Sequence, residues 1–455
     1  MKKNKLLAVI FLLPFCLFSQ KLDTLPIEDF IGLVLEHHPV AYQIKNNNAI
    51  GDLQLRKAKG GFEPVVNSKF SNKAHEGKEY YTKFESNLKI PIWYGLSAET
   101  GFEINKGTYV NPENNTSANG LWYSGINLSL ISNLVYNDRL ANLDKAKIVK
   151  DLTIEEQRII KNQLIRDAAF QYWEWYAEYE KLLLYKNIFT LAKKRLELAQ
   201  SLFGIGELSK MDTIEAQSQY LTRKISFENQ QTVVEQAQNK LDLYLWKDGI
   251  TPIESKNIIP LKQSIDFVID QKEIDSLVQN HALLKISQFE LKMKEIELRM
   301  KKEKVKPKLD INLYYLDNPG ASQKGTWYQN SYVGAKFSYP IFSIQARNDL
   351  KIKKLELENK KLDITMKQQS IYVKLRNSFL NNTVLEMNLI DVDQAAKNTR
   401  ELLGYENEKF GIGETTLLKI NLRENYVLQT NLKRIETIFK LEKNRHYLAW
   451  YALYF

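Results

Sequence analysis

The chain has 455 residues, 44% of them hydrophobic and 26% charged, with a formal net charge of +10; this places it among folded proteins with a sizeable core and outside the disordered class. Nineteen glycines and eleven prolines are too few for a turn-rich β-sandwich or α/β enzyme, so long helices are the first expectation. The single cysteine, Cys16, excludes a disulfide framework and a thiolate zinc site, and five scattered histidines offer no paired ligand spacing, so no metal and no cofactor is expected.

Residues 1–19 carry a basic start (Lys2, Lys3, Lys5), an apolar stretch and Ser19 before Gln20, the build of a secretory signal peptide, so export is expected. Cleavage after Ser19 would leave 61 basic and 54 acidic residues, a net charge of +7. Lys and Arg alternate with Glu and Asp along 292–308 and 351–361, which reads as solvated helix faces rather than a nucleic-acid patch.

Helical spacing covers 27–60, period-two alternation follows Pro64 over 65–132, and helical spacing returns over 138–202. A Phe203-Gly-Ile-Gly-Glu207 turn, with the tip over 203–208, leads into a helix over 209–246. The stretch 247–271, with Asp248-Gly249, Pro252 and Pro260, is the one non-helical connector. Then the order recurs: helix 273–305, strands 308–341, long helix 345–409, tip 410–413 and helix 414–455. FGIGE at 203–207 returns at 410–414, an offset of 207, and 36–64 resembles 279–307 at an offset of 243. A two-fold internal repeat is therefore expected, 20–246 and 272–455, with the larger insertion in the first half.

Each long helix of 65 residues would extend ~98 Å at about 1.5 Å per residue, too long for a compact globule. The uncharged stretch 114–137 is too rich in Asn, Ser and Gly to be a membrane helix. The aromatic run Phe170, Tyr172, Trp173, Trp175, Tyr176, Tyr179 falls at helical spacing, so inter-helix packing is expected of it rather than ligand stacking. The G-x-G turns lack a preceding strand, a third glycine and a Lys-Ser/Thr partner, and read as helix-to-helix turns, not phosphate loops. No nucleophile elbow or paired-carboxylate spacing occurs, so an enzyme is not expected.

The repeat, the order of helix, strands, long helix and FGIGE tip in each half, Pro64 and Pro307 at the exits from helix to strand, and Ser338-Tyr-Pro-Ile-Phe342 together resemble the TolC-like outer-membrane efflux protein family. That resemblance implies a mostly α fold with a membrane β-barrel portion: a homotrimer whose strands close one barrel in outer-membrane lipid and whose long antiparallel helices form a periplasmic α-barrel. It further implies a passive exit duct for small toxic compounds or polypeptides, serving a tripartite efflux pump or type I secretion system with a periplasmic adaptor and an inner-membrane transporter. The adaptor contact would fall at the tips, on Gly204, Gly206, Gly411 and Gly413. Asp212 matches the family's first-repeat gate acid, while Lys419, Leu422, Thr415 and Phe410 depart from its acidic ring and its Arg and Tyr latch. Asp212 and Lys419 are then the candidate gate pair, or two separately solvated side chains. The other reading of the helices is a periplasmic coiled-coil adaptor or scaffold.

Strand edges cannot lie open in lipid, so several chains must combine to close a barrel. Aromatics at the strand ends (Trp93, Tyr94, Trp122, Tyr123, Tyr314, Tyr315, Trp327, Tyr328) suit the two interfaces. Six strands are expected: 65–74, 80–92, 96–106, 121–132, 308–316 and 327–341. Family members usually contribute four, so three copies here imply an 18-stranded barrel with Phe84, Leu88, Phe102 and Ile104 toward lipid. The competing arrangement folds the hairpin 80–106 outside or over a twelve-stranded barrel.

Overall fold

In a computed structural model of the protein, residues 23–255, 258–263, 271–320 and 325–452 are described. The leader expected over 1–19, with Cys16, and the terminal Phe455 lie outside them.

A short strand β1 (Asp23–Leu25) is followed by helices α1 (Ile27–His37) and α2 (Pro39–Lys59). The single helix predicted over 27–60 is thus two. His38 is extended, with φ −69° and ψ 139°, because the Pro39 ring crowds a helical conformation at the residue before it. Four strands come next: β2 (Val65–His75), β3 (Lys78–Pro91), β4 (Leu96–Lys106) and β5 (Leu121–Ile131). Between the strands expected at 65–74 and 80–92, the connection is a two-residue turn, Glu76 at φ 53° and Gly77 at φ 74°, the pair of positive φ values that a tight hairpin takes up to match strand twist.

Helix α3 (Asp138–Gly204) runs 67 residues and α4 (Lys210–Asp242) 33. The connector holds a small hairpin, β6 (Trp246–Lys247) with β7 (Thr251–Pro252), and β8 (Ile258–Pro260), which pairs parallel with β1. The helix predicted over 273–305 is also two, α5 (Ile274–Gln279) and α6 (Ala282–Lys304). His281 caps the second, its Nδ1 accepting the Leu283 N–H at 3.1 Å, and this satisfies one of the donors a helix start leaves open. The remaining elements are β9 (Lys308–Asp317), β10 (Ser331–Ser338), the 68-residue α7 (Ile344–Gly411) and α8 (Leu417–Ala452). Strand β10 is shorter than the predicted 327–341: Thr326 to Asn330 close a turn, with the Asn330 N–H donating to the Thr326 carbonyl at 3.1 Å, and Pro340 has no N–H for a ladder.

The chain forms two compact units. The first comprises Met1–Pro39, Ile165–Phe267 and Asn381–His446. Its core is aromatic, with Tyr172, Trp173, Trp175 and Phe30 at most 1% exposed. Tyr172 meets Trp173 and Trp175 edge-on at 5.9 Å, the packing geometry that ring quadrupoles favour. The Tyr172 hydroxyl contacts the carbonyls of Leu25 at 2.7 Å and Leu261 at 2.9 Å and accepts the Leu261 N–H at 3.1 Å, so it fixes β1 and the segment after β8 to α3.

The second unit comprises Val40–Leu164, Val268–Leu380 and Tyr447–Phe455. It contains one six-stranded antiparallel sheet, ordered β10-β9-β5-β4-β3-β2. Segments of four helices lie side by side in the order α2, α3, α6, α7, and polar contacts mark every seam. Lys150–Asp52 (2.8 Å) and Asn47–Gln157 (3.2 Å) join α3 to α2. Lys145–Glu297 (3.1 Å) and Lys285–Glu155 (3.5 Å) join α3 to α6. Lys294–Glu356 (2.8 Å) and Lys353–Glu297 (3.0 Å) join α6 to α7. Exposed ion pairs of this kind contribute at most ~1 kcal/mol each. Apolar contacts such as Tyr136, Ala141 and Met300, all at most 7% exposed, stabilise the α3–α6 seam through area removed from water. Among the described residues, no helix is long and apolar enough to cross a membrane.

Candidate functional site

The sheet register sorts its side chains onto two chemically different faces. Because β3 and β4 pair Phe84 with Ile104, Ser86 with Phe102 and Leu88 with Thr100, and β5 and β9 pair Ile126 with Leu313 and Leu128 with Ile311, one face is mostly apolar, its hydroxyls pairing with one another as Ser68–Ser86 and Thr100–Ser124. It is exposed: Phe70 is 68%, Val333 66% and Phe337 65% accessible. Hairpin β3–β4 lies within the sheet, between β2 and β5; Phe84, Leu88, Phe102 and Ile104 share the face of Ile126 and Leu313.

On the opposite face polar side chains satisfy one another. Glu99 accepts from Asn87 Nδ2 at 3.0 Å, Asn127 Nδ2 at 2.6 Å and the Tyr314 hydroxyl at 3.1 Å. Asn67 Nδ2 donates to Asn87 Oδ1 at 3.1 Å, and the Tyr123 hydroxyl to Glu85 at 3.2 Å. Tyr314 stacks on Tyr332 with centroids 6.0 Å apart, so the network reaches from β2 to β10. Two glycines make room for the rings. A Cβ on Gly101 would lie 2.5 Å from the Tyr123 ring, and one on Gly125 would lie 2.6 Å from the Tyr314 ring and run into the Leu313 carbonyl oxygen. Both rings therefore sit against the sheet rather than standing off it.

Strands β2 and β10 each have one edge without a partner among the described residues. Six antiparallel strands is an even number, so the two edge strands run in opposite directions. The β2 edge of one copy can thus meet the β10 edge of another in antiparallel fashion.

In the first unit, the two helix-to-helix turns have the same backbone. Gly206 has φ 82° and Gly413 φ 80°; the Glu207 N–H donates to the Leu202 carbonyl and that of Glu414 to the Lys409 carbonyl, each at 2.9 Å. This is the left-handed helix stop that glycine permits. Gly204 and Gly411 differ: both lie inside their helices, with open space where a Cβ would be. Ile205 and Ile412, between the glycines, are each 70% exposed, so each turn presents an apolar tip.

Asp212 and Lys419 are not brought together as an ion pair among the described residues. Asp212 completes a capping box at the start of α4, accepting from Ser209 N at 3.1 Å and Ser209 Oγ at 2.6 Å. Lys419 acts on Glu406, whose carboxyl is held below its usual range first by the Thr415 hydroxyl and then by Arg423, with Lys419 adding to the effect. The groups that tie the helices near the turns were not singled out in the sequence. Arg195 of α3 forks onto Glu424 of α8 at 2.6 and 2.8 Å and reaches Asn421 at 3.3 Å; Asn421 in turn donates to Glu215 of α4 at 2.9 Å. The Glu424 and Arg195 side chains are 7% and 16% exposed. Nothing local signals a pair 229 residues apart. Among the described residues, no group of three or more His, Cys, Asp or Glu could hold a metal ion.

No family model and no curated protein matches the sequence. Solved structures do match in fold. The outer-membrane channel OprN aligns with a TM-score of 0.69 at 11% identity, over 94% of this chain and 89% of that one. The Campylobacter jejuni CmeC outer membrane channel aligns at 0.66 and 10%, over 94% and 85%, and the outer membrane protein VceC from Vibrio cholerae at 0.67 and 11%, over 94% and 95%. The chain has the fold of the TolC-like outer-membrane channels.

Proposed function

We propose that the protein is a trimeric outer-membrane exit duct. The observation that carries this reading is the sheet, with one exposed apolar face, one self-satisfied polar face and two unpaired edges, in a chain with a channel fold. In lipid, unpaired N–H and C=O groups at an edge are too unfavourable to persist. Head-to-tail pairing of three copies removes all six edges and gives 18 strands, with Phe84 and Ile126 toward lipid and Glu99 toward water. The 11 residues of β4, rising about 3.4 Å each at a tilt of about 40°, climb roughly 29 Å, the thickness of a hydrocarbon core.

The helices are then periplasmic, and the matched turns at Gly206 and Gly413 support a two-fold repeat whose apolar tips at Ile205 and Ile412 meet an adaptor protein of an inner-membrane transporter. Cargo, whether small toxic compounds or polypeptides, passes without chemistry on this chain. The gate pairing of Asp212 with Lys419 would have to form between copies, in competition with the Ser209 cap. Fractionation and spectroscopy test the reading: heat-modifiable trimers in the outer-membrane fraction are expected. Spin labels at Ile126 and Leu313 should be relaxed by oxygen, and at Asn127 and Asn312 by a water-soluble nickel chelate. A soluble monomer, as a periplasmic adaptor or scaffold would be, refutes it.

A further inference from the structure

We infer that the sheet section of the duct favours negatively charged cargo, because its water-facing wall carries an excess of lysines that the acids beside them do not pair. The cargo class this suits is small organic anions bearing carboxylate, phosphate or sulfonate groups. The inference rests on the duct reading and names what that duct passes.

The register fixes which charges share the polar face with Glu99. Pairing carries that face from Glu99 to Lys89 on β3, then from Glu85, Lys83 and Tyr81 to Lys69, Ser71 and Lys73 on β2. In the other direction it runs from Gly125 and Ser129 of β5 to Tyr314 and Asp310 of β9, with Lys308 two residues away, and ends at Lys336 of β10, opposite Asp310. From Lys73 inward the face therefore holds six lysines, Lys69, Lys73, Lys83, Lys89, Lys308 and Lys336, against four acids, Glu85, Glu99, Glu103 and Asp310. The excess is two positive charges per copy and six in three copies.

Charge count alone would let the acids cancel most of the lysines. Three lysines even lie directly across from an acid: Lys69 from Glu85, Lys89 from Glu99 and Lys336 from Asp310. Yet none of the six lysines is in an ion pair among the described residues. The acids turn instead to neutral donors. Glu99 is taken by Asn87, Asn127 and Tyr314, Glu85 by the Tyr123 hydroxyl at 3.2 Å, Glu103 by Asn105 Nδ2 at 3.4 Å and Asp310 by Ser129 Oγ at 2.6 Å. Glu99, Glu103 and Asp310 are half-buried against the sheet, whereas all the lysines but Lys83 are exposed. Lys73 and Lys83 stand over the Tyr80 and Tyr81 rings at 4.9 and 5.1 Å, contacts that orient an ammonium without neutralising it. Donor dipoles aimed at the carboxylates offset part of their field, and the lysines on their long stems stand closer to a passing ion.

Rings of basic side chains favour anions in pores. Eighteen strands tilted by about 40° take up roughly 6 Å of circumference each, a backbone radius of about 18 Å. The Debye length is about 8 Å at physiological salt and about 30 Å at 0.01 M, so the preference acts near the wall in the first case and across the lumen in the second.

A thiol in the sheet reads this potential whatever closes the far end of the duct. Asn67→Cys places one on the polar face of β2, two residues from Lys69, and Cys16 lies in the expected leader. In outer-membrane trimers of this variant, modification by anionic sulfonatoethyl methanethiosulfonate is compared with that by the cationic trimethylammonioethyl reagent, both relative to a free thiol. The anionic reagent should be favoured about two- to fivefold at 0.01 M salt and hardly at all at 1 M. Adding Lys69→Gln, Lys73→Gln and Lys83→Gln should abolish the preference, while Lys106→Gln, on the apolar face opposite Thr82, should leave it unchanged. Should the triple variant not assemble, the fall of the preference with salt decides. In planar bilayers under a tenfold KCl gradient the wild-type trimer should prefer chloride. No anionic preference at 0.01 M salt, a preference that survives the triple change, or a wild-type trimer that prefers potassium overturns the inference while the duct reading stands. Failure of the wild-type chain to form any outer-membrane trimer would overturn the duct reading and the inference with it.

Discussion

Replacing Glu424 by alanine strands the Arg195 guanidinium. In the native protein that group has two hydrogen bonds to the Glu424 carboxylate, at 2.6 and 2.8 Å, and a longer one to Asn421 at 3.3 Å. With side chains only 16% and 7% exposed, the two charges have little water to fall back on. Breaking a buried pair by deleting one partner costs about 3–5 kcal/mol, because the remaining charge is left uncompensated. Since Arg195 is less deeply buried than Glu424, the lower end, about 3 kcal/mol, is expected. Glu424→Gln keeps the shape and one acceptor and should cost about 1–2 kcal/mol. The double change Arg195→Met with Glu424→Leu removes both charges and should come close to neutral. Hydrogen exchange of the α8 amides around 420–428 in the detergent-solubilised protein reads these differences directly as opening free energies. The exposed pair Lys433–Glu436, at 4.0 Å, is the control, expected to be worth at most ~1 kcal/mol. If Glu424→Ala shifts exchange no more than Glu436→Ala does, the fork does not hold α8 to α3, and the reasoning from burial and geometry is wrong.

Three further outcomes follow from the same contacts. Gly206→Ala and Gly413→Ala place a side chain at φ 82° and 80° and should each destabilise the protein by about 1 kcal/mol in urea denaturation, whereas Gly204→Ala and Gly411→Ala, in helices and facing open space, should be neutral or stabilising by up to ~1 kcal/mol. His281 is 3% exposed, and burial, then the nearby Arg158, lowers it to about 4; the unfolded chain therefore binds its proton first as the pH falls. Stability should drop between about pH 6.5 and pH 4 by up to ~3 kcal/mol, and His281→Asn, which keeps a cap acceptor, should flatten that part of the pH–stability curve. Tyr172→Phe leaves the Leu25 and Leu261 backbone groups without their buried partner, and should cost about 1–3 kcal/mol with faster exchange of the Leu261 amide.

Much of the architecture is legible in the residues because it depends on local periods. Alternation in Phe84-Glu85-Ser86-Asn87-Leu88 can only place Phe84 and Leu88 on one face of a strand, and the breaker-free stretch before Phe203 can only extend a helix. The glycine at 206 is readable for the same reason, since a helix that stops before another begins needs a residue at positive φ. The break at His38 was readable too: Pro39 follows it, and His281 recurs at the matching place 243 residues later. There the apolar spacing continues across the break, and spacing alone does not register a single extended residue. Likewise Ser209 three residues before Asp212 is the capping-box pattern, which gives the acid a local role before any gate is considered.

What the tertiary structure alone decided is which elements lie side by side. Alternation fixes the faces of β3 and β4 but not their neighbours; placing the hairpin between β2 and β5 took backbone pairing such as Val66 with Leu88 and Leu96 with Leu128, because every strand offers the same N–H and C=O groups to any partner. The Arg195–Glu424 fork and the Glu99 network join residues up to 229 positions apart. Charges and amides repeat along every helix and strand of this chain, so composition and period are the same for those that pair and those that stay in water. Only the folded register brings particular ones within hydrogen-bond reach and removes the water around them.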